Sequence, residues 1–378
     1  MVTRITNGKV LVDGHFIEAD VYIDGKTIRG IGGNHGYDCQ IDAGGHYVTA
    51  GFIDIHCHGG CGFSFGDADA EGARQAALMH LRHGTTTLFP TVSSSDFQAL
   101  EQALRAIEQA QETTPSLGGI HLEGPYFSPA QTGAQNSDAL RLPKAEEYAA
   151  ILANHKIARW DYAPELDTDL SFLNALLAAK VLPSAAHTDA TCQQMERAAD
   201  HGCKLITHLY SCTSTIHREF GFRIAGVVEA AYLRDDICAE LIADGCHLPY
   251  ELIRLAYKQK GADRLILVTD AIQAAGLEDC QYYYEPTGEK RLIEDGVAKL
   301  EDRSAFAGSI ATADRLLRTC VAAGIPLAEA VKMLTQTPAG IMGLSHKGHL
   351  KPGFDADIVI FDDNIHIKTV ILQGNVIS

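Results

Sequence analysis

The 378-residue sequence is poor in positive charge: 31 Lys and Arg stand against 48 Asp and Glu, a formal net charge of −17. Nucleic acids and anionic membranes are held by clustered Lys and Arg, so this balance argues against both as partners. A small anionic ligand stays open, because one Arg and a few backbone N–H groups can hold a phosphate. No run approaches the ~20 apolar residues of a membrane helix. Met1 to Gly8 carries Arg4 and lacks the apolar core of a secretory signal. The 10 cysteines have no regular spacing; Cys57 and Cys61 form no CxxC and have no partner pair, so no zinc ribbon is expected. Scattered thiols without a signal read as a cytoplasmic chain. Internal repeats, low-complexity tracts and a Gly-rich dinucleotide turn after the first buried strand are also missing.

What is present suits a folded enzyme. Apolar residues make up 46% of the chain, enough to bury on the order of three quarters of the unfolded surface. At roughly 150 residues per domain, one large or two ordinary domains are expected. Both ends read as short strands. Val10–Val12, Phe16–Ile17, Asp20–Ile23 and Thr27–Ile28 are separated by Asp13-Gly14 and Asp24-Gly25, and Asp357–Phe361 and Thr369–Leu372 follow the same pattern. Residues 1–50 with 345–378 are therefore expected to form one small β-sandwich domain.

The middle, 51–344, alternates apolar runs with helical patterns such as Ala73–His83, Asp96–Gln111, Ala145–Asn154, Asp169–Ala179 and Cys192–His201. The strand candidates are Phe52–His58, Thr85–Pro90, Gly118–Glu123, Ile157–Tyr162, Val181–His187, Lys204–His208, Ile237–Ala243 and Leu265–Asp270. Such units over ~290 residues predict an α/β fold, a (β/α)8 TIM barrel. Asp279–Ala305 breaks the rhythm and reads as a hairpin-like insertion with a turn at Pro286-Thr287-Gly288.

The chemistry-bearing residues fall in register with those strands. His56 and His58 end the first strand, Glu123 the third, His187 the fifth, His208 the sixth and Asp270 the eighth. In such a barrel the carboxyl ends of the strands converge on the active-site face. Residues two apart on a strand point the same way, so His56 and His58 can reach one ion together. A lone His at a strand end is usually only a polar residue near the surface. Four His and two carboxylates in one register instead suit one or two divalent ions: Zn, Fe, Co or Mn. His15, His35, His80, His83, His155, His201 and His366 fall outside the pattern and read as surface or packing residues.

The runs Ala50–Gly60 (AGFIDIHCHGG), His121–Phe127 (HLEGPYF), Ala186–Ala190 (AHTDA), Thr207–Tyr210 (THLY), Asp244–Pro249 (DGCHLP), Leu267–Ala271 (LVTDA) and Phe306–Ser309 (FAGS) resemble the amidohydrolase superfamily. Within it they are most similar to the N-acetylglucosamine-6-phosphate deacetylase family. The run Lys347–Asp362 resembles the strand that completes that superfamily's small β domain. The resemblance implies that Glu123 is the principal metal carboxylate, with His187 and His208 completing its site and His56 and His58 adding a second ion. It makes Asp270 a metal-site residue and the general base, taking the proton of the attacking water and returning it to the leaving amine. His247 would contact the substrate carbonyl or a sugar hydroxyl. Arg218 would hold the phosphate, delivered from a neighbouring subunit, which implies a homodimer. Ala134, Ser211 and Cys212, with Phe306, Ala307 and Gly308, would line an amino-sugar phosphate.

The resemblance has departures. Ser211-Cys212-Thr213 stands where the family usually has Asn-Ala-Met, and Gln135 where it usually has a His. Gln donates to an oxygen but cannot become cationic. The metal and base positions match while the substrate positions differ. The expected reaction is hydrolysis of the acetyl amide of N-acetylglucosamine 6-phosphate. The galacto epimer, a cyclic amide or dipeptide, and a catalytically silent sugar-phosphate-binding protein remain as alternatives.

Overall fold

A computed structural model describes residues 1–277, 280–284 and 288–377. Eight parallel strands form the barrel: β1 (Phe52–Cys57), β2 (Thr85–Ser93), β3 (Ile120–Glu123), β4 (Ile157–Tyr162), β5 (Leu182–Ala185), β6 (Leu205–Ile206), β7 (Cys238–Leu241) and β8 (Leu265–Leu267). They neighbour one another in chain order. The ring closes between β1 and the residues after β8, through Asp270 N–H to the His56 carbonyl at 2.9 Å and His58 N–H to Ala271 at 2.8 Å. Asp54 reinforces the seam, accepting from the backbone N–H of His56 at 3.2 Å and of Thr269 at 3.3 Å. Burial pushes the Asp54 carboxyl up to about 6, against these hydrogen bonds.

The strands read as apolar runs because both faces are covered. Outside, helices such as Phe97–Gln111 and Cys192–Asp200 bury Leu100, Leu104, Ile107 and Met195 against them. Asp96 caps the former by accepting from Ala99 N–H at 2.9 Å, and Thr191 with Gln194 forms a capping box on the latter. Inside, Ile53, Ile55, Phe89, Leu205, Ile266 and Val268 pack as a plug, and Ala339 and Met342 join it. Each such side chain contributes about 1.5–3 kcal/mol on burial.

The N-terminal strands Val2–Val12, His15–Asp24, Thr27–Ile31, Cys39–Asp42 and Tyr47–Ala50 and the C-terminal strands Ile358–Phe361, Ile367–Leu372 and Asn375–Val376 share one continuous sheet. Ile358–Phe361 pairs antiparallel with Tyr47–Ala50, which joins the two ends of the chain. A register shift between Ile5 and Gly8 bends the first strand. Residues from both ends of the sheet, Ile28 and Ile358 among them, then meet in one core. Gly8 is required at the bend, since a Cβ there would lie 2.5 Å from a Val48 methyl.

The segment that breaks the barrel rhythm is a four-stranded antiparallel sheet, Tyr282–Tyr284, Lys290–Glu294, Val297–Leu300 and Phe306–Ser309, larger than the hairpin expected. Asp279 and the turn residues Pro286 and Thr287 lie outside the described residues.

Candidate active site

Four of the expected strand-end ligands, His58, His187, His208 and Asp270, stand beyond the strands. His187, His208 and Asp270 follow the last residues of β5, β6 and β8, each with a positive φ of 43°, 29° and 47°. The left-handed backbone turns each side chain in toward the barrel axis, and such strain is stored where a site requires it. Glu123 closes β3, His56 lies within β1 and His58 just past its end.

The six side chains meet around Glu123. Its Oε1 lies 3.2 Å from His187 Nε2, 3.1 Å from His208 Nε2 and 3.6 Å from His56 Nε2. Its Oε2 lies 3.2 Å from His58 Nε2. Asp270 Oδ1 is 3.3 Å from His56 Nε2 and 3.2 Å from His58 Nε2. The two Nε2 atoms of His56 and His58 are 3.1 Å apart.

These contacts fit a cation. His187 Nδ1 faces the Gln131 carbonyl at 2.9 Å and must donate to it, so its Nε2 is left as an acceptor, yet that atom faces a carboxylate oxygen. His56 is in the same position, with Nδ1 3.2 Å from Glu240 Oε2. Glu123 with His187 and His208, and Glu123 with His56 and His58, each gather His and carboxylate donors of the kind that bind divalent ions. The carboxylates raise the His56 imidazole against the effect of burial. Burial drives the His58 pKa down, but Asp270 and Glu123 outweigh it and raise it to about 10. The same histidines hold Glu123 well below the usual carboxylate range despite burial.

The cluster opens on a cavity of about 720 Å³. Ala134, Ser211, Cys212 and His247 line it, and so do Phe306, Ala307 and Gly308 from the last strand of the inserted sheet. His247 Nδ1 sits 2.7 Å from Asp244 Oδ2, and that carboxylate raises the imidazole pKa against the effect of burial. Gly133 lets the wall loop pass over the site: its φ is 57°, and a Cβ would lie 2.4 Å from Cys212 Sγ.

Gln135 lines the cavity, but its amide donates to Glu123 Oε2 at 2.6 Å and its oxygen accepts from Ser94 N–H at 2.9 Å. It braces Glu123 against the Ser94 main chain, with both ends of the amide engaged. Arg218 does not line the cavity of its own chain. It lies on an exposed hairpin, His217–Glu219 paired with Phe222–Ile224.

Sequence reasoning missed the layer beneath the cluster. Arg159, Asp161, Glu240 and His121 are all fully buried inside the barrel. Arg159 pairs with Asp161 at 3.0 Å and with Glu240, and donates to Thr207 Oγ1 at 2.7 Å. His121 Nε2 is 3.0 Å from Asp161, and its Nδ1 is 3.0 Å from Thr91 Oγ1. The available signal was a charge placed inside an apolar strand run, as in Ala239-Glu240-Leu241.

Fold and site together define a barrel hydrolase, and the chain belongs to the amidohydrolase family, whose model matches residues 47–377. It is 33% identical over 343 residues to an N-acetylglucosamine-6-phosphate deacetylase of Lysinibacillus sphaericus, spanning 89% of this chain and 87% of the relative. It is 32% identical over 336 residues to an N-acetylgalactosamine-6-phosphate deacetylase of Escherichia coli O157:H7, spanning 86% of each. A crystal structure of the N-acetylglucosamine-6-phosphate deacetylase of Pasteurella multocida is similar with a TM-score of 0.92 and 26% identity, covering 100% of both chains.

Proposed function

We propose that this amidohydrolase removes the acetyl group of N-acetylglucosamine 6-phosphate, giving glucosamine 6-phosphate and acetate. The observation that carries the reading is Asp270, a carboxylate within 3.3 Å of both His56 and His58 at the floor of a sugar-sized cavity. Glu123, His187 and His208 would hold the principal ion, and His56, His58 and Asp270 a second; Zn, Fe, Co and Mn all suit these donors. A bound divalent cation supplies Lewis acidity, which lowers the pKa of water from 15.7 toward about 7 and offsets developing oxyanion charge.

The remaining work falls to the chain. Asp270 accepts the proton of the attacking water and returns it to the departing nitrogen. The neighbouring histidines hold its carboxyl well below the usual carboxylate range against the effect of burial. His247, held by Asp244, donates to the amide oxygen as charge builds there. Phe306, packed 5.1 Å from the His247 ring, lines the cavity beside it.

Arg218 completes the phosphate site from a second copy of the chain. Its hairpin carries Phe220, 94% exposed, and Phe222, 75% exposed. Apolar surface of this kind at an arm tip suits a homodimer contact. Ten free thiols suit a reducing cytoplasm. The relative that acts on the galacto epimer, together with Ser211 in place of the usual Asn, keeps N-acetylgalactosamine 6-phosphate as the second reading.

Acetate release from the gluco phosphate, the galacto phosphate and unphosphorylated N-acetylglucosamine tests the assignment. The gluco phosphate should turn over fastest and the unphosphorylated sugar slowest. Turnover of the galacto compound alone would transfer the assignment to the epimer, and turnover of neither would end it.

A further inference from the structure

We propose that Glu240 is a positioning residue that fixes the His56 tautomer and thereby builds the metal position shared by His56 and His58. Glu240 is fully buried on β7 and approaches the cluster from inside the barrel. Its Oε2 lies 3.2 Å from His56 Nδ1. A carboxylate only accepts, so Nδ1 must carry the hydrogen, and Nε2 is left with a lone pair aimed at Asp270 and Glu123. The same oxygen accepts the backbone N–H of His208 at 3.3 Å, which ties a ligand of the principal position to the same anchor.

Arg159 holds Glu240 in turn. It pairs with Oε1, and its other donors are taken by Asp161, Thr207 and the Ile55 carbonyl. The main chain is fixed from the opposite side: Cys57, between the two histidines, donates its N–H to Thr91 Oγ1 at 2.9 Å. A buried Arg–Glu pair seldom stabilises a fold more than apolar residues of the same shape would. Its place directly behind His56 gives it a use that stability does not.

This inference rests on the metal reading of the site, and its test is made without substrate. Zinc is counted by mass spectrometry of metals after equilibrium dialysis of the full chain across a range of free Zn concentrations. The wild type should bind two ions. In Glu240→Gln the amide oxygen is claimed by Arg159, which has no acceptor of its own, and the NH2 turns to His56 Nδ1 and reverses the tautomer. The second ion should then bind about 10- to 100-fold more weakly, and the first, where His208 loses only a backbone hydrogen bond, no more than a few-fold. Adding Arg159→Met frees the amide oxygen for His56 and the His208 N–H, and the second ion should return to within a few-fold of wild type. A merely structural role would not give that recovery. The proposal is overturned by a wild type that binds one ion, by Glu240→Gln binding both as tightly as wild type or weakening both equally, or by a double variant that does not recover. A chain that counts two ions and releases no acetate would remove the deacetylase reading and leave Glu240 in place.

Discussion

His187 and His208 reach the cluster from left-handed residues just beyond β5 and β6; the cavity loop supports His187 through the Gln131 carbonyl and Glu123 through Gln135, while the His208 N–H rests on Glu240. His56 and His58 stand on β1 or at its end, and their support comes from β2 and β7, through Thr91, Ser93 and Glu240. Similar donors are therefore held in two ways: one half of the site leans on a loop that also lines the cavity, the other on a polar layer buried beneath it. Changes in the substrate loop should reach the first half directly and the second only through the shared Glu123.

Asp270 faces the second half and is the proposed base, so its loss should have the largest effect. Asp270→Asn should lower kcat about 10³-fold while substrate still binds. Pre-steady-state acetate release with parallel calorimetric binding checks this, and near-wild-type kcat would remove the base assignment. Arg218 lies outside both halves. Arg218→Ala should raise KM about 10- to 100-fold for a phosphorylated sugar, the worth of a charge-assisted hydrogen bond, and leave the unphosphorylated sugar unaffected. An equal effect on both sugars would take Arg218 out of the phosphate site.

Gln135→Ala sharpens the contrast. With Glu123 Oε2 released, both ions should bind about 10-fold more weakly, because Oε2 faces His58 and Oε1 of the same carboxylate faces His187 and His208; the loss on changing Glu240 should fall mainly on the second ion. Zn titration with a competing chelator distinguishes the two patterns. The smallest effect concerns stability on the β1 side. His80 Nε2 donates to the Gly59 carbonyl at 2.9 Å, and burial lowers its pKa to about 4 from 6.5. The folded protein then binds fewer protons than the unfolded chain between those values, so stability is full above about pH 6.5 and falls as the pH drops toward 4. The linked loss is about 3 kcal/mol at most. Thermal melts across this range should show a shallower slope for His80→Asn; an unchanged slope would assign the acid sensitivity to other groups.

Much of this architecture is legible in the residues because parallel strands covered on both faces leave continuous apolar runs, and Ile157–Tyr162 coincides in both descriptions. The ligands are legible because a barrel brings its strand ends to one face. The left-handed turns at His187, His208 and Asp270 carry no such mark, since no glycine announces them. Arg159 and Glu240 are visible as charges inside apolar runs, but they lie 81 residues apart, and nothing local pairs them with each other. Gln135 shows the same limit: a residue aligned with a substrate contact is engaged by a carboxylate 12 positions earlier.

The most direct test of the metal-dependent reaction is acetate release from N-acetylglucosamine 6-phosphate by protein stripped with chelator and then reloaded with Zn, Fe, Co or Mn in turn. Stripped protein should fall to background, and at least one cation should restore turnover to the level of the untreated enzyme. Full turnover by the stripped protein would contradict a reaction that depends on an ion held by Glu123 and its histidines.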